Sequence, residues 1–157
     1  MGDALKNAEP MLYDLDFHAW TQDQAAKLRA RAGFDNRGDI DWENAAEEIE
    51  SLGRSERREI ESRVVIVLLG LLKWRFQEAH RSRSWKSSII EQRRMVRRLL
   101  AENPSLANVP EIALGASYDL ARLKASAETG LALKTFPVSS PFTAAQTLDD
   151  DFYPDGE

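Results

Sequence analysis

Val64-Val65-Ile66-Val67-Leu68-Leu69-Gly70-Leu71-Leu72 is the most apolar stretch of the chain, nine residues set between Arg63 and Lys73. Its reading decides the fold. Four successive β-branched residues suit a strand, since branching at Cβ packs well on a pleated surface. The flanks argue otherwise. Glu56-Arg57-Arg58-Glu59 before the run and Leu71-Leu72-Lys73-Trp74 at its end are helix formers, and no second strand is present to pair with it. The run is also too short to cross a bilayer as a helix, which takes about 20 apolar residues. It therefore reads as the middle of a central helix, buried on most sides, running from a Ser55 cap to about Gln77.

Helical signals continue on both sides. Upstream, Asp16 is placed to cap a helix over Phe17–Ala32 that ends at Gly33, and Asp41 to cap a short helix over Trp42–Leu52 that ends at Gly53. At 100° per residue, Trp42, Ala45, Ala46, Ile49 and Leu52 form one apolar stripe on that short helix. Downstream, Ser84 begins a helix over Trp85–Glu102 with Trp85, Ile89, Val96, Leu99 and Leu100 on its core face, stopped by Asn103-Pro104. A last helix spans about Pro110 to Thr129 and closes at Gly130. Three prolines then mark residues 131–157 as an irregular segment that wraps the bundle. It has one turn near Thr143–Leu148, and Phe136, Phe142, Phe152 and Tyr153 anchor it. The expectation is an all-α, single-domain bundle of about five helices over residues 1–157, with an ordered core of about 13–154.

Composition narrows the chemistry. A chain of 157 residues fits one domain and can bury a core without staples. It contains no cysteine, which excludes disulfides, thiolate metal sites, iron–sulfur clusters and a cysteine nucleophile. Two histidines, His18 and His80, are too few for a histidine-rich metal centre. Met1–Met11 has neither the basic-then-apolar order nor the apolar length of an export signal, so a cytoplasmic protein with no membrane segment is expected. The net charge of −5 hides opposed blocks. Residues 1–61 carry 15 acidic against 8 basic side chains, whereas residues 73–98 carry 9 basic against two acidic. Such blocks either attract each other on folding or face partners.

Several stretches also resemble a known family. Asp41-Trp42-Glu43-Asn44 followed by Glu47-Glu48-Ile49-Glu50-Ser51-Leu52-Gly53 is similar to the opening motif of the bacterial domain of unknown function 29 family. The likeness continues through Leu71-Leu72-Lys73-Trp74, Ser82-Arg83-Ser84-Trp85, Gln92-Arg93 and Pro104-Ser105-Leu106. It ends with Glu128-Thr129-Gly130-Leu131, Phe136-Pro137 and Asp151-Phe152-Tyr153-Pro154. The resemblance implies a bacterial, helical, soluble protein and carries no activity with it. Members of that family often have histidine where this chain has Gly70, and proline where it has Glu78. A metal or catalytic role resting on that histidine does not transfer.

Three constellations are worth following. Glu43, Glu47 and Glu50 lie within about 60° on one helix face. Like charges at that spacing repel unless a cation lies across them, so these are the weak metal candidates, with oxygen ligands suited to magnesium, calcium or manganese. Pairing with the basic block, or solvation, is the plainer alternative; no metal and no cofactor is expected. Arg81, Arg83, Ser84, Lys86 and Ser87 surround a helix start and are anion-binding candidates, although no glycine-rich phosphate cradle accompanies them. Lys86, Arg93 and Arg97, with Arg94 and Arg98 beside them, form a ridge of the kind nucleic-acid phosphates require. A pI near 5.2 argues against nucleic acid. No nucleophile elbow is present and nothing in the sequence links His18 or His80 to a serine. The reading is a non-catalytic helical interaction module whose partner is a protein. Its interaction-face candidates are Glu47, Lys73, Arg93, Arg94 and Arg97, and oligomeric state is left open. A binder of a phosphorylated ligand or divalent metal, or of nucleic acid through helix 85–102, is the alternative.

Overall fold

The apolar run lies in the second half of one 35-residue helix around which the other elements are arranged. The computed structural model describes residues 11–35 and 37–155; residues 1–10, read above for an export signal, lie outside them. In chain order the helices are α1 (Leu12–Leu15), α2 (Phe17–Phe34), α3 (Trp42–Phe76), α4 (Arg83–Glu102), α5 (Val109–Ile112), α6 (Leu114–Thr129) and α7 (Ala144–Leu148). Single 3₁₀ turns occupy Glu78–His80, Pro104–Leu106 and Leu133–Thr135, and no strand occurs among the described residues. No helix among them is long and apolar enough to cross a membrane.

α3 is about 50 Å long at 1.5 Å per residue, and α2, α4, α5, α6 and α7 all pack on it. Val64, Val67, Leu68, Leu71 and Leu72 are essentially inaccessible, joined by Ile89, Val96 and Leu99 of α4 and by Tyr118, Ala121 and Ala125 of α6. Full burial of each large aliphatic side chain contributes about 1.5–3 kcal/mol. Ile66 alone of the β-branched run turns outward, 37% exposed.

Two expected helices are in fact one. Gly53 does not end the first, and Ser55 caps nothing, because the chain runs helical through both. The glycine serves a close approach instead. A Cβ at residue 53 would lie 2.2 Å from Thr21 Oγ1 on α2, and Thr21 is itself buried. The α2–α3 seam is built from small side chains, Ala25, Ala32 and Ala46, which let the two backbones come together. α2 packs against this half of α3, and Leu52, expected on the core stripe, is 51% exposed.

Other boundaries shift for local reasons. Asp16 and Asp41 cap α2 and α3 as expected, accepting from Ala19 N at 2.9 Å and Asn44 N at 3.1 Å. α2 runs through Gly33 to Phe34. Ser82, not Ser84, caps α4, accepting from Trp85 N at 3.1 Å. The last long helix is interrupted at Ala113, which separates α5 from α6. Gly130 closes α6 in left-handed geometry, φ 76°, which glycine adopts at little cost. The C-terminal segment is anchored as the sequence suggests, with Phe136 and Phe142 buried and a Thr143/Gln146 capping box opening α7.

Gly53→Ala separates the two roles of that glycine. Helix propensity alone favours alanine by about 0.5–1 kcal/mol. The contact with Thr21 reverses the sign, and we expect a loss of about 1–3 kcal/mol in denaturant unfolding; unchanged or raised stability would contradict the seam.

Candidate functional site

The acidic face on α3 has its cation built in. Arg29 of α2 reaches both Glu50 and Glu47, the latter at 3.4 Å, and Arg54, one turn along α3, bonds the same two carboxylates, Glu50 at 3.3 Å. The Arg29 hydrogen bond holds the Glu50 carboxyl below its ordinary range. Glu43 is exposed at the edge of this group. Among the described residues no group of histidine, aspartate and glutamate side chains is arranged to hold a metal ion. The partners of the cluster are thus Arg29 and Arg54 rather than the 73–98 block.

That basic block is largely consumed by the fold. Arg93, expected on an interaction face, is fully buried. Its guanidinium donates to the carbonyls of Thr147 (2.8 Å), Gln146 (3.2 Å) and Phe152 (2.9 Å), tying α4 to the C-terminal segment. The Tyr153 ring covers it at 5.3 Å. Burial pulls the guanidinium below its ordinary value, opposed chiefly by Tyr153 and Asp150. Lys73 pairs with Glu128 at 3.2 Å and sits over Trp85, and Arg97 pairs with Asp150 at 2.8 Å. Arg94 stays exposed. The anion candidates divide similarly. Arg81 turns inward, bonding the Trp74 carbonyl at 2.8 Å and the Pro154 carbonyl at 3.3 Å. Lys86 lies over the Tyr153 ring at 5.2 Å, while Arg83, Ser84 and Ser87 remain exposed around a helix start whose cap is Ser82.

A link absent from the sequence reading joins a histidine to a serine. Ser105 Oγ donates to Asp16 Oδ1 at 2.9 Å and lies 3.2 Å from His18 Nδ1. Asp16 also accepts from Ser105 N at 2.7 Å. The single serine proton goes to the carboxylate, so the hydroxyl faces the imidazole as an acceptor. Nucleophile activation needs the opposite polarity, with the serine proton passing to histidine. The trio is a tie between the start of α2 and the Pro104–Leu106 turn. Asn103 reinforces it, bonding His18 N through Oδ1 at 2.9 Å and Glu56 through Nδ2 at 3.0 Å.

What the sequence reading missed is a groove of about 460 Å³ between α3 and α6. Val65 and Ile66 line one wall, Ala113, Ala116 and Leu120 the other, with Arg58, Glu61 and Lys124 around the rim. Leu120 of that wall is 45% exposed, and Ile112 at the end of α5 and Leu123 on α6 are 69% and 57% exposed. A smaller recess of about 210 Å³ continues from Ile66 past Gly70 to Trp85. A Cβ at residue 70 would lie 2.7 Å from Ile89 Cγ1, so the glycine found here, where the resembled family often has histidine, lets α4 close onto α3.

A family model described as "Domain of unknown function DUF29" matches residues 12–153. The fold is similar to the crystal structure of an alpha-helical protein of unknown function from Rhodospirillum rubrum. That match has a TM-score of 0.75 and 30% identity, over 92% of this chain and 93% of that one. No curated protein matches the chain.

Replacing Arg93 tests whether it is a structural clasp. Arg93→Ala strands three carbonyls and leaves a cavity, and should cost about 3–5 kcal/mol. Arg93→Lys keeps the charge without the forked geometry and should recover only part of that loss. Thermal unfolding followed by tryptophan fluorescence measures both; full stability of Arg93→Ala would refute the clasp.

Proposed function

We propose that this chain, which belongs to the domain of unknown function DUF29 family, is a cytoplasmic, non-catalytic helical module that docks another protein chain at the α3–α6 groove. One observation carries the reading. Leu120 lines an apolar cleft while itself exposed, and Ile112 and Leu123 on α5 and α6 are exposed as well; exposed apolar surface at a cleft on a charged protein marks an interaction site. The charged rim supplied by Arg58, Glu61 and Lys124 fits the usual anatomy of an apolar centre within a polar border. The charged clusters support a binding role in a different way. Arg29 with Glu47 and Glu50, Asp16 with Ser105, and Arg93 with its carbonyls all stiffen the scaffold that presents the groove.

A photo-reactive amino acid placed at position 120 tests this in living cells, with position 52 on the far half of α3 as the control. We expect one discrete crosslinked complex from position 120, none from position 52, and loss of the complex when Leu123→Glu is added. No complex from position 120, or one indifferent to Leu123→Glu, would refute the docking face.

A further inference from the structure

We infer that the chain docked at this face is a second copy of the same protein, with the two α6 helices side by side, parallel and in register. This rests on the reading of the α3–α6 face as a docking face, and names its occupant.

Ala116, Leu120, Leu123 and Ala127 are all exposed, and lie within about 60° of one another on α6. Ser117, Tyr118, Ala121 and Ala125 face inward and are buried. The outer four recur with spacings of four, three and four, the a/d seam of helices that pair along their length. Such a seam normally has a partner; on α6 it faces outward.

The charges beside the seam select that partner. In the heptad frame that puts Leu120 at a and Leu123 at d, Asp119 takes g and Lys124 takes e. Both are exposed, and neither forms an ion pair among the described residues. In a parallel pair, each g position faces the e position five residues on in the other helix. Asp119 of one copy then meets Lys124 of the other, and the twofold axis makes the same contact a second time. An antiparallel pair sets g against g and e against e, so Asp119 finds no cation and Lys124 no anion. The helix carries opposite charges at the one spacing that suits a parallel copy of itself.

Size and preorganisation agree. Leu120 and Leu123 provide the two central layers, and Ala116 and Ala127 at the ends allow the axes to approach within the usual 8–10 Å. α6 is already folded against α3, so pairing requires no new helix nucleation.

The absence of cysteine from the chain makes the register directly testable. Parallel, in-register helices bring Ala116 to Ala116 and Ala127 to Ala127 within disulfide reach. No antiparallel register can bring both residues to their own copies. We expect Ala116→Cys and Ala127→Cys each to give a disulfide-linked dimer under mild oxidation. Sedimentation of the unmodified chain from about 1 µM to 1 mM should show a species of twice the 17.7 kDa chain mass. Leu120→Glu should yield monomer with an unchanged helical spectrum and a melting temperature that no longer rises with protein concentration. Asp119→Lys or Lys124→Glu alone should weaken the dimer about ten-fold, and the two together should restore it.

A chain that stays monomeric throughout, a dimer indifferent to Leu120→Glu, or failure of either cysteine crosslink overturns the inference. If the chain is monomeric yet position 120 still captures a different protein in cells, the second copy is wrong and the docking face survives. If neither complex forms, both fall.

Discussion

The structure depends on one constraint: the apolar turns of α3 must be covered from several directions at once. Val64, Val65, Val67, Leu68, Leu71 and Leu72 spread over an arc of about 160° on α3, and all are buried. An apolar arc wider than the usual core-facing stripe cannot rest on a single neighbour. α4 covers one side and α6 another, and the C-terminal segment reaches the same core through Phe136 and Phe142. Net stability of a domain is about 5–15 kcal/mol, so this group of side chains accounts for a large share of what holds the elements in place. The side that receives least cover, around Ile66, opens onto the groove.

Polar ties then fix how the covering elements lie. Asn103 connects the start of α2, the middle of α3 and the end of α4 through three hydrogen bonds. Arg93 does the same for α4 and the segment leading out of α7. Both are buried. Asn103 bonds through Oδ1 and Nδ2 and Arg93 through Nε and Nη2, its Nη1 having no partner among the described residues. A buried polar group stabilises to the extent that it is satisfied. The Arg29–Glu50 pair, partly exposed, contributes less. It orients the α2–α3 seam whose close contact Gly53 permits.

Local signals were legible in the sequence. Asp16, Asp41 and Gly130 act at helix ends through contacts within a few residues, and the helix-forming flanks of the Val64–Leu72 run settle its conformation. Gly53 was not legible, because a glycine that ends a helix and one that admits a neighbouring backbone are the same residue. Its true partner, Thr21, lies on another helix. The acidic face was read correctly as one face, but its cation, Arg29, is also set by packing. Arg93 could have been found: it follows Ile89 by four residues and precedes Val96 by three, within the stripe of α4, and its charge concealed its position. The α6 seam escaped because that helix is apolar on both sides, so periodicity did not reveal which side the core takes.

The domain therefore presents a rigid, apolar edge backed by a tightly tied core. This is a scaffold suited to holding a second helix at a fixed angle. Native-state hydrogen exchange across the whole chain tests the basis of that account most directly. If α3 is the axle, the amides of Val64–Leu72 should exchange slowest, at the free energy of global unfolding, while those of Trp42–Leu52 open earlier. Amides in Val64–Leu72 that exchange as readily as those of Trp42–Leu52 would contradict it.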